Sequence, residues 1–253
     1  MHGLGLGEPR EPVTISALEY DVLIEHFQLD PMPLVLKVPS PGRTDDERAA
    51  LVAQAWAGLE HHDVARLEHQ LGILRRAERE IDGRVWVGRS LRLLAAAQGD
   101  DAVLAVLDGD RLTLHDADAT GLPRHALSVL PQLNGGPGRS VTLRTADFEA
   151  AAREATGQAE LARALASRGV KDATDLADMI GDIVNRGQFG SAVRDRWSRR
   201  VRAGRVISFF DTKDGRYLQV RRDNDTEAWT TISPADPRRL LQHLTELHDE
   251  QRR

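Results

Sequence analysis

Along this chain, short β-branched runs give way to stretches whose apolar residues recur every three or four positions, and the sequence does this twice. Val13-Thr14-Ile15-Ser16-Ala17-Leu18-Glu19-Tyr20 is echoed by Val141-Thr142-Leu143-Arg144-Thr145-Ala146-Asp147-Phe148. Each reads as a short strand running into a helix start. Ser16 and Glu19 have the spacing of a capping box. Thr145 is expected to cap the matching helix, with Asp147 in its first turn near the positive end of the dipole. Thr44-Asp45-Asp46-Glu47 is a second capping box, opening an amphipathic run through Ala55 and Leu59. Residues 64–74 continue with Val64, Leu67, Leu71 and Leu74 on one face. Helical spacing over 150–166 and 176–184 answers in the second copy, with Asp172 or Thr174 as a cap.

The ends of the two halves match as well. Strand-like runs at 91–97, 102–106 and 112–114 correspond to 205–211, 216–220 and 229–232. Ala117-Asp118 and Ala235-Asp236 then introduce helices at 122–130 and 240–247. The second hairpin turn, 223–226, is longer than 108–110, which explains the drift in spacing. Each half thus reads as strand, helices, antiparallel meander, helix. Four strands bury one face only, and about 120 residues leave much apolar surface to cover. The expectation is a single α+β domain over 12–253 with a pseudo-two-fold internal duplication. Its halves are 12–133 and 141–250, joined by a Gly135-Gly136-Pro137-Gly138 connector at 134–140, after a flexible tail at 1–11.

Composition narrows the class without naming a chemistry. The 253 residues are 41% hydrophobic and 29% charged, with 34 basic against 39 acidic side chains and a net charge of -5. These are the values of a soluble globular protein rather than one whose whole surface holds nucleic acid. Only Lys37, Lys171 and Lys213 are lysines; so strong a skew to arginine in an Ala-rich chain points to a GC-rich coding sequence. Cysteine is absent, which removes disulfides, thiolate nucleophiles and Cys-ligated metals. With no signal-peptide pattern and no run of about 20 apolar residues, the expected location is cytoplasmic, with no membrane partner.

No catalytic motif stands out. H-E-x-x-H, G-x-S-x-G and the phosphate-loop pattern are missing. Gly3, Gly5 and Gly7 do not complete a dinucleotide fingerprint, and 135–140 lacks the phosphate-loop lysine. His61, His62 and His69, and separately His243 and His248, lack the i, i+4 spacing of a metal pair. The Asp-rich stretches 211–215 and 223–225 suit hairpin turns better than calcium loops. No cofactor, metal or catalytic residue is therefore expected. Arg194, Arg196, Arg199, Arg200, Arg202 and Arg205, with Trp197 among them, form a basic stretch. It reads either as a solvated loop or as a surface for phosphates or acidic protein.

Three stretches together resemble the EspG family, cytosolic specificity chaperones of actinobacterial ESX (type VII) secretion systems. The first is Ile15-Ser16-Ala17-Leu18-Glu19-Tyr20-Asp21-Val22-Leu23 with 33–39 and Thr44 to Arg48. The second is Gly99-Asp100-Asp101-Ala102-Val103-Leu104-Ala105-Val106-Leu107 followed by Ala119-Thr120-Gly121-Leu122. The third is Gly187-Gln188-Phe189-Gly190, the Arg-rich stretch, 211–217 and Ser233-Pro234-Ala235-Asp236. The resemblance implies a central antiparallel β-sheet flanked by helical bundles, with quasi-two-fold symmetry. It further implies a non-enzymatic protein that binds PE–PPE heterodimers at the apolar tip of the PPE protein; since an exposed substrate patch could pair with itself, the free protein is expected to be a monomer or weak homodimer. Family contacts come from the central sheet, the C-terminal bundle and a loop between early strands. Here these correspond to 182–189 and 86–92. The expected partner-binding residues are Trp86 and Phe189 as aromatic anchors, with Arg89, Arg92, Arg186 and Gln188 as polar neighbours; the competing reading places both rings in the core. A nucleic-acid-binding regulator using 194–205 is the alternative function.

Overall fold

The capping box at Ser16 forms as expected. In the computed structural model, which describes residues 10–223 and 226–250, the Glu19 N–H donates to Ser16 Oγ at 3.2 Å. The Ser16 N–H donates to the Glu19 carboxylate at 2.6 Å. The Thr44 box is only half made. Thr44 Oγ1 accepts from the Glu47 N–H, while the Glu47 carboxylate reaches past it to the Arg43 N–H at 2.8 Å.

In chain order, β1 (Val13–Ser16) runs without a loop into α1 (Ala17–His26). Helices α2 (Asp45–Leu59) and α3 (Val64–Arg76) follow. A meander of β2 (Arg79–Val87), β3 (Ser90–Gln98), β4 (Asp101–Asp108) and β5 (Arg111–Asp118) leads to a short α4 (Leu122–Leu127). The second series begins with β6 (Val141–Arg144) and α5 (Thr145–Glu154), again without a loop. Next come α6 (Gln158–Ser167), α7 (Ala173–Met179), β7 (Asn185–Arg194), β8 (Arg200–Arg202), β9 (Ile207–Thr212), β10 (Gly215–Asp223), β11 (Ala228–Pro234) and α8 (Pro237–Glu250). The expected helix over 176–184 stops at Met179, and three strands unread in the sequence, β2, β7 and the short β8, are present.

These elements form two compact units. The first takes the residues up to Gly83, Ser90–Ala126 and Val193–Arg200; the second takes Arg84–Arg89, Leu127–Ala192 and the residues from Val201 onward. The division falls between Ala126 and Leu127, with a short segment of each stretch lodged in the other unit, so the units do not coincide with the halves 12–133 and 141–250. Of the expected tail, residues 1–9 lie outside the described residues.

In the first unit the strand order is β1-β5-β4-β3-β2, and β1, β5, β4 and β3 pair antiparallel, with Ile15 opposite Leu112 and Leu107 opposite Leu112. Leu67, Leu71 and Leu74 recur at i, i+4 and i+7 along α3. They pack with Leu23 and Ile24 of α1 onto Leu94, Ala96, Val103 and Ala105 of the sheet. Covering each such leucine contributes about 1.5–3 kcal/mol. Arg48 of α2 reaches two carboxylates of α1, the buried Asp21 at 2.7 Å and Glu25 beside it.

In the second unit the order is β7-β9-β10-β11-β6, antiparallel at each junction. In each series the first strand, β1 or β6, lies at one edge beside the last strand of the meander, β5 or β11, while β8, paired with β7, has no counterpart in the first series. Helices α5, α6 and α7 bury Ala151, Leu161, Leu165 and Leu176 with Phe210, Tyr217, Val141, Leu143 and Ile232. Thr145 does not cap α5. The cap position is Arg144, and the buried Thr145 hydroxyl instead pairs with Thr230 Oγ1 at 2.8 Å. Asp172 sits at the cap position of α7 without a side-chain cap bond, because its carboxylate is held by Arg139.

The glycine-rich stretch expected as a connector is packed against β10. The Arg216 N–H donates to the Asn134 carbonyl at 2.9 Å, the Gly136 N–H donates to the Arg216 carbonyl at 3.1 Å, and Tyr217 Oη donates to the Pro137 carbonyl at 3.1 Å. A Cβ on Gly136 would fall 2.2 Å from Tyr217 Cζ; glycine stands here for close approach, not flexibility. The Arg216 guanidinium, fully buried, makes two bonds to the buried Asp211 carboxylate at 2.7 and 3.0 Å and a third to the Pro131 carbonyl at 3.1 Å. That satisfies both charges at the cost of removing them from water.

Candidate functional site

The site begins with a missing side chain. Gly187 of β7 lies so close to β2 that a Cβ would meet Val85 Cγ1 at 2.5 Å and Phe209 Cε1 at 2.7 Å. Because side chains alternate across a strand, placing Gly187 and Val85 on the inner face turns Arg84 and Trp86 of β2, and Arg186 and Gln188 of β7, to the other. All four are exposed, and Trp86 is 46% so. Neighbours on paired strands stand about 5 Å apart at Cβ, and diagonal ones about 7–8 Å. The four therefore make one tight quartet, with all of its residues in the second unit.

The surface continues from this quartet along two lines. Across the sheet, Gln188 is opposite Ser208, Ser208 opposite Gln219, and Arg186 opposite Phe210, where the α5–α7 core starts. Along the chain, Ile183 and Val184 immediately precede β7 and are 40% and 53% exposed. They are held there by the Val184 N–H, which donates to the Asp211 carbonyl at 2.8 Å. Exposed β-branched residues beside an exposed tryptophan form an apolar strip of the kind that marks an interface. Among the described residues neither Arg84 nor Arg186 has a carboxylate partner.

The six expected contact residues separate. Trp86, Arg186 and Gln188 come together as described, and Arg89 is exposed in the two-residue turn between β2 and β3. Phe189 is not available as an anchor: its ring is 0% exposed and stacks on Phe209 with centroids 6.0 Å apart. Its strand parity, two residues from Gly187, turns it inward. Arg92 sits in β3 of the first unit, where its guanidinium donates to the Lys37 carbonyl at 2.7 Å. The expected loop at 86–92 reduces to Gly88 and Arg89, since Trp86 and Arg92 are strand residues.

Arg84 was not foreseen, and Ile183 and Val184, though inside the expected 182–189 stretch, were not singled out as contact residues. Gly181-Asp182 ahead of a β-branched pair is the signal that the helical run had ended. Alternation through Ile81, Gly83 and Val85 is the signal that Arg84 and Trp86 point outward.

The basic stretch is a pinned hairpin rather than an open cationic surface. Arg194 donates to the carbonyls of Ala77, Ser198 and Arg75 at 2.9, 2.9 and 3.2 Å. Arg199 pairs with Asp195 at 2.9 Å, Arg200 with Glu80 and Arg205 with Glu250 at 2.6 Å. Burial pushes the Glu80 carboxyl above the usual range, and the Arg200 guanidinium pulls it back. Arg196 lies over the Trp197 ring, 3.9 Å from its centroid. The Asp211 of the first calcium-like stretch is committed to Arg216.

Ser191 Oγ lies 3.0 Å from His248 Nδ1, but both residues are buried, so no substrate reaches them. Among the described residues no group of three or more His, Cys, Asp or Glu side chains is placed to hold a metal ion. No helix among them is long and apolar enough to cross a membrane.

Among curated protein sequences none matches the chain. Among solved structures, the fold is similar to that of the Mycobacterium tuberculosis type VII secretion system chaperone EspG5, determined in complex with a PE25–PPE41 dimer. The TM-score is 0.69 at 16% sequence identity, covering 94% of this chain and 96% of that one. The sequence profile of the EspG family matches residues 16–246, and over so much of its length the chain belongs to the EspG family.

Proposed function

We propose that this protein is a cytosolic, non-enzymatic chaperone of a type VII secretion system that binds a PE–PPE-type heterodimer and keeps it soluble until export. Membership of the EspG family supports the class, and the structurally similar EspG5 is a type VII chaperone seen with such a dimer. The observation that carries the reading to particular residues is the exposure of Trp86 on the outer face of β2 and of Ile183 and Val184 just ahead of β7. A helical pair with an apolar tip self-associates in water through that tip. A partner offering a matching apolar strip shields it at no covalent cost. An interface of about 1,600 Å² suffices for specific capture and still allows release. Tryptophan at its centre is the type of residue that dominates such contacts, at about 2 kcal/mol or more.

The test is co-expression with each PE–PPE pair encoded in the same genome, followed by size-exclusion chromatography with light scattering. One pair is expected to co-elute as a 1:1:1 complex and to be less soluble alone. Trp86→Ala should weaken that complex by about 30-fold, equivalent to the 2 kcal/mol above, and Val184→Asp should abolish it. Arg196→Glu with Trp197→Ser, on the basic hairpin, should leave it unchanged. Retention of no pair refutes the function. Loss of binding only with the hairpin variant moves the site to the basic stretch and refutes the placement on β2 and β7.

A further inference from the structure

The apolar strip explains capture of an apolar tip but not which tip is captured. On that reading of the site, the arginines beside Trp86 carry additional information. Arg84 and Arg186 lie on the same sheet face, on neighbouring strands, within about 5–8 Å of each other at Cβ. Several other arginines are tied to acidic residues, Arg48 to Asp21, Arg66 to Asp116, Arg168 to Glu154 and Arg205 to Glu250, and others, such as Arg92, to backbone carbonyls. Among the described residues Arg84 and Arg186 are without any such partner. Two adjacent guanidiniums without carboxylate partners thus flank an exposed tryptophan in a chain whose net charge is -5.

We infer that the partner's docking tip carries two carboxylates flanking its apolar contact residue, and that Arg84 and Arg186 select for them. The spacing suits a helix. Side chains three or four residues apart on one face stand about 5–6 Å apart at Cβ, close to the separation of the two arginines. A single helix bearing Asp or Glu at i and i+4, with an apolar residue between them on the same face, can meet both guanidiniums while its apolar side chain lies on Trp86. Arginine presents a planar fork that binds a carboxylate through two parallel bonds. Gln188 completes the quartet with an amide that can donate to either carboxylate and accept from a backbone N–H. A tip with the same apolar residue but lysines at the flanks would be repelled, which is how a chaperone with a greasy contact can refuse a non-cognate pair.

The inference is tested on the complex obtained by co-expression, using the full chain and the PE–PPE pair that binds it. Affinity is measured by isothermal titration across a salt series from about 50 to about 500 mM NaCl, spanning strong and weak screening. Wild-type affinity should fall with salt. Arg84→Glu with Arg186→Glu should weaken binding tenfold or more at low salt and flatten the salt dependence. Trp86→Ala should weaken binding by a similar factor at every salt concentration. Lysine substitution of two acidic residues on the partner's tip should restore binding to the double-Glu variant. If that variant, melting like wild type, binds with unchanged affinity while Trp86→Ala does not, the carboxylate inference is overturned and the apolar site stands. If neither variant changes affinity, the site itself is overturned.

Discussion

Replacing Gly187 by alanine probes the contact that orients the exposed quartet. The new Cβ would lie 2.5 Å from Val85 Cγ1, 2.9 Å from Val85 Cβ and 2.7 Å from Phe209 Cε1. Carbon atoms are comfortable at about 3.5–4.0 Å, so the methyl intrudes by about 1 Å on two side chains with little room to yield. Valine is stiff at χ1, and the Phe209 ring is stacked on Phe189. Gly187 does not sit in the left-handed region, so alanine carries no backbone penalty there. In the unfolded chain it would even stabilise by about 0.4–1 kcal/mol. Overpacking costs about 1–3 kcal/mol, which at about 2–4 °C per kcal/mol lowers the melting temperature by about 2–12 °C. Val85→Ala alone loses two methyl groups, about 1.6 kcal/mol before any cavity cost. Combined with Gly187→Ala it opens the space the new methyl needs. Circular dichroism melts of the four proteins give the double-mutant cycle. The expected coupling is about 1 kcal/mol, with the double variant more stable than the sum of the singles predicts. A Gly187→Ala protein that melts at or above the wild-type temperature, or strict additivity with Val85→Ala, would refute the close approach of β7 to β2.

Three further outcomes follow from the geometry. Arg216→Met leaves the Asp211 carboxylate buried without its cation and should cost about 3–5 kcal/mol in urea unfolding; adding Asp211→Asn should recover part of it, and a single variant as stable as wild type would show that the pair is not closed. His115, His125 and His243 all have pKa values held below the histidine value of 6.5, chiefly by burial. His125 Nε2 also accepts the Asp118 N–H at 3.0 Å, a bond that needs the neutral ring. Because the unfolded chain takes up these protons more readily, stability should be full above pH 6.5 and fall as the pH drops below it; thermal melts should flatten with pH in a triple His→Gln variant. Arg200→Ala removes the cation that offsets burial of Glu80, raising a carboxyl pKa that is already high. Its melting temperature should match wild type near pH 4 and fall behind as pH rises, and a constant difference across that range would refute the pairing.

What could be read from sequence was local. Ser16 and Glu19 declare a helix start because both halves of the box lie within four residues, and the α3 stripe of Leu67, Leu71 and Leu74 needs only its own period. Strands β2 and β7 escaped for a physical reason. Asp82-Gly83 interrupts one, and Gly187 and Gly190 dilute the other, although Gly187 is there because Val85, about a hundred positions away, leaves no room for a side chain. Phe189 stands between glycines and carries no mark of its face; only the packing of Gly187 decides that it turns inward. Thr145 looked like a cap and instead meets Thr230 in the core, a pairing set by the register of β6 on β11. The basic stretch looked cationic because Glu80 and Glu250, which hold Arg200 and Arg205, are far from it in sequence. The family resemblance spanned such gaps because it reads the order of many segments at once, while the exposed strip had to wait for strand parity.

The segment Val193–Arg200, lodged in the first unit, has a consequence during synthesis. Everything else in that unit has been translated by Ala126, yet the arginine that holds the carbonyls of Arg75 and Ala77 and the one that neutralises Glu80 arrive only with residues 194 and 200. At about 5–20 residues per second the ribosome needs roughly 4–15 s to make the intervening stretch. For that interval the nascent first unit has an unpaired strand edge at β2, and Glu80 is without the arginine that pairs with it. A ribosome stalled in this window therefore displays an incomplete sheet, and a gene cut after Ala126 encodes that same unfinished state rather than a minimal working piece.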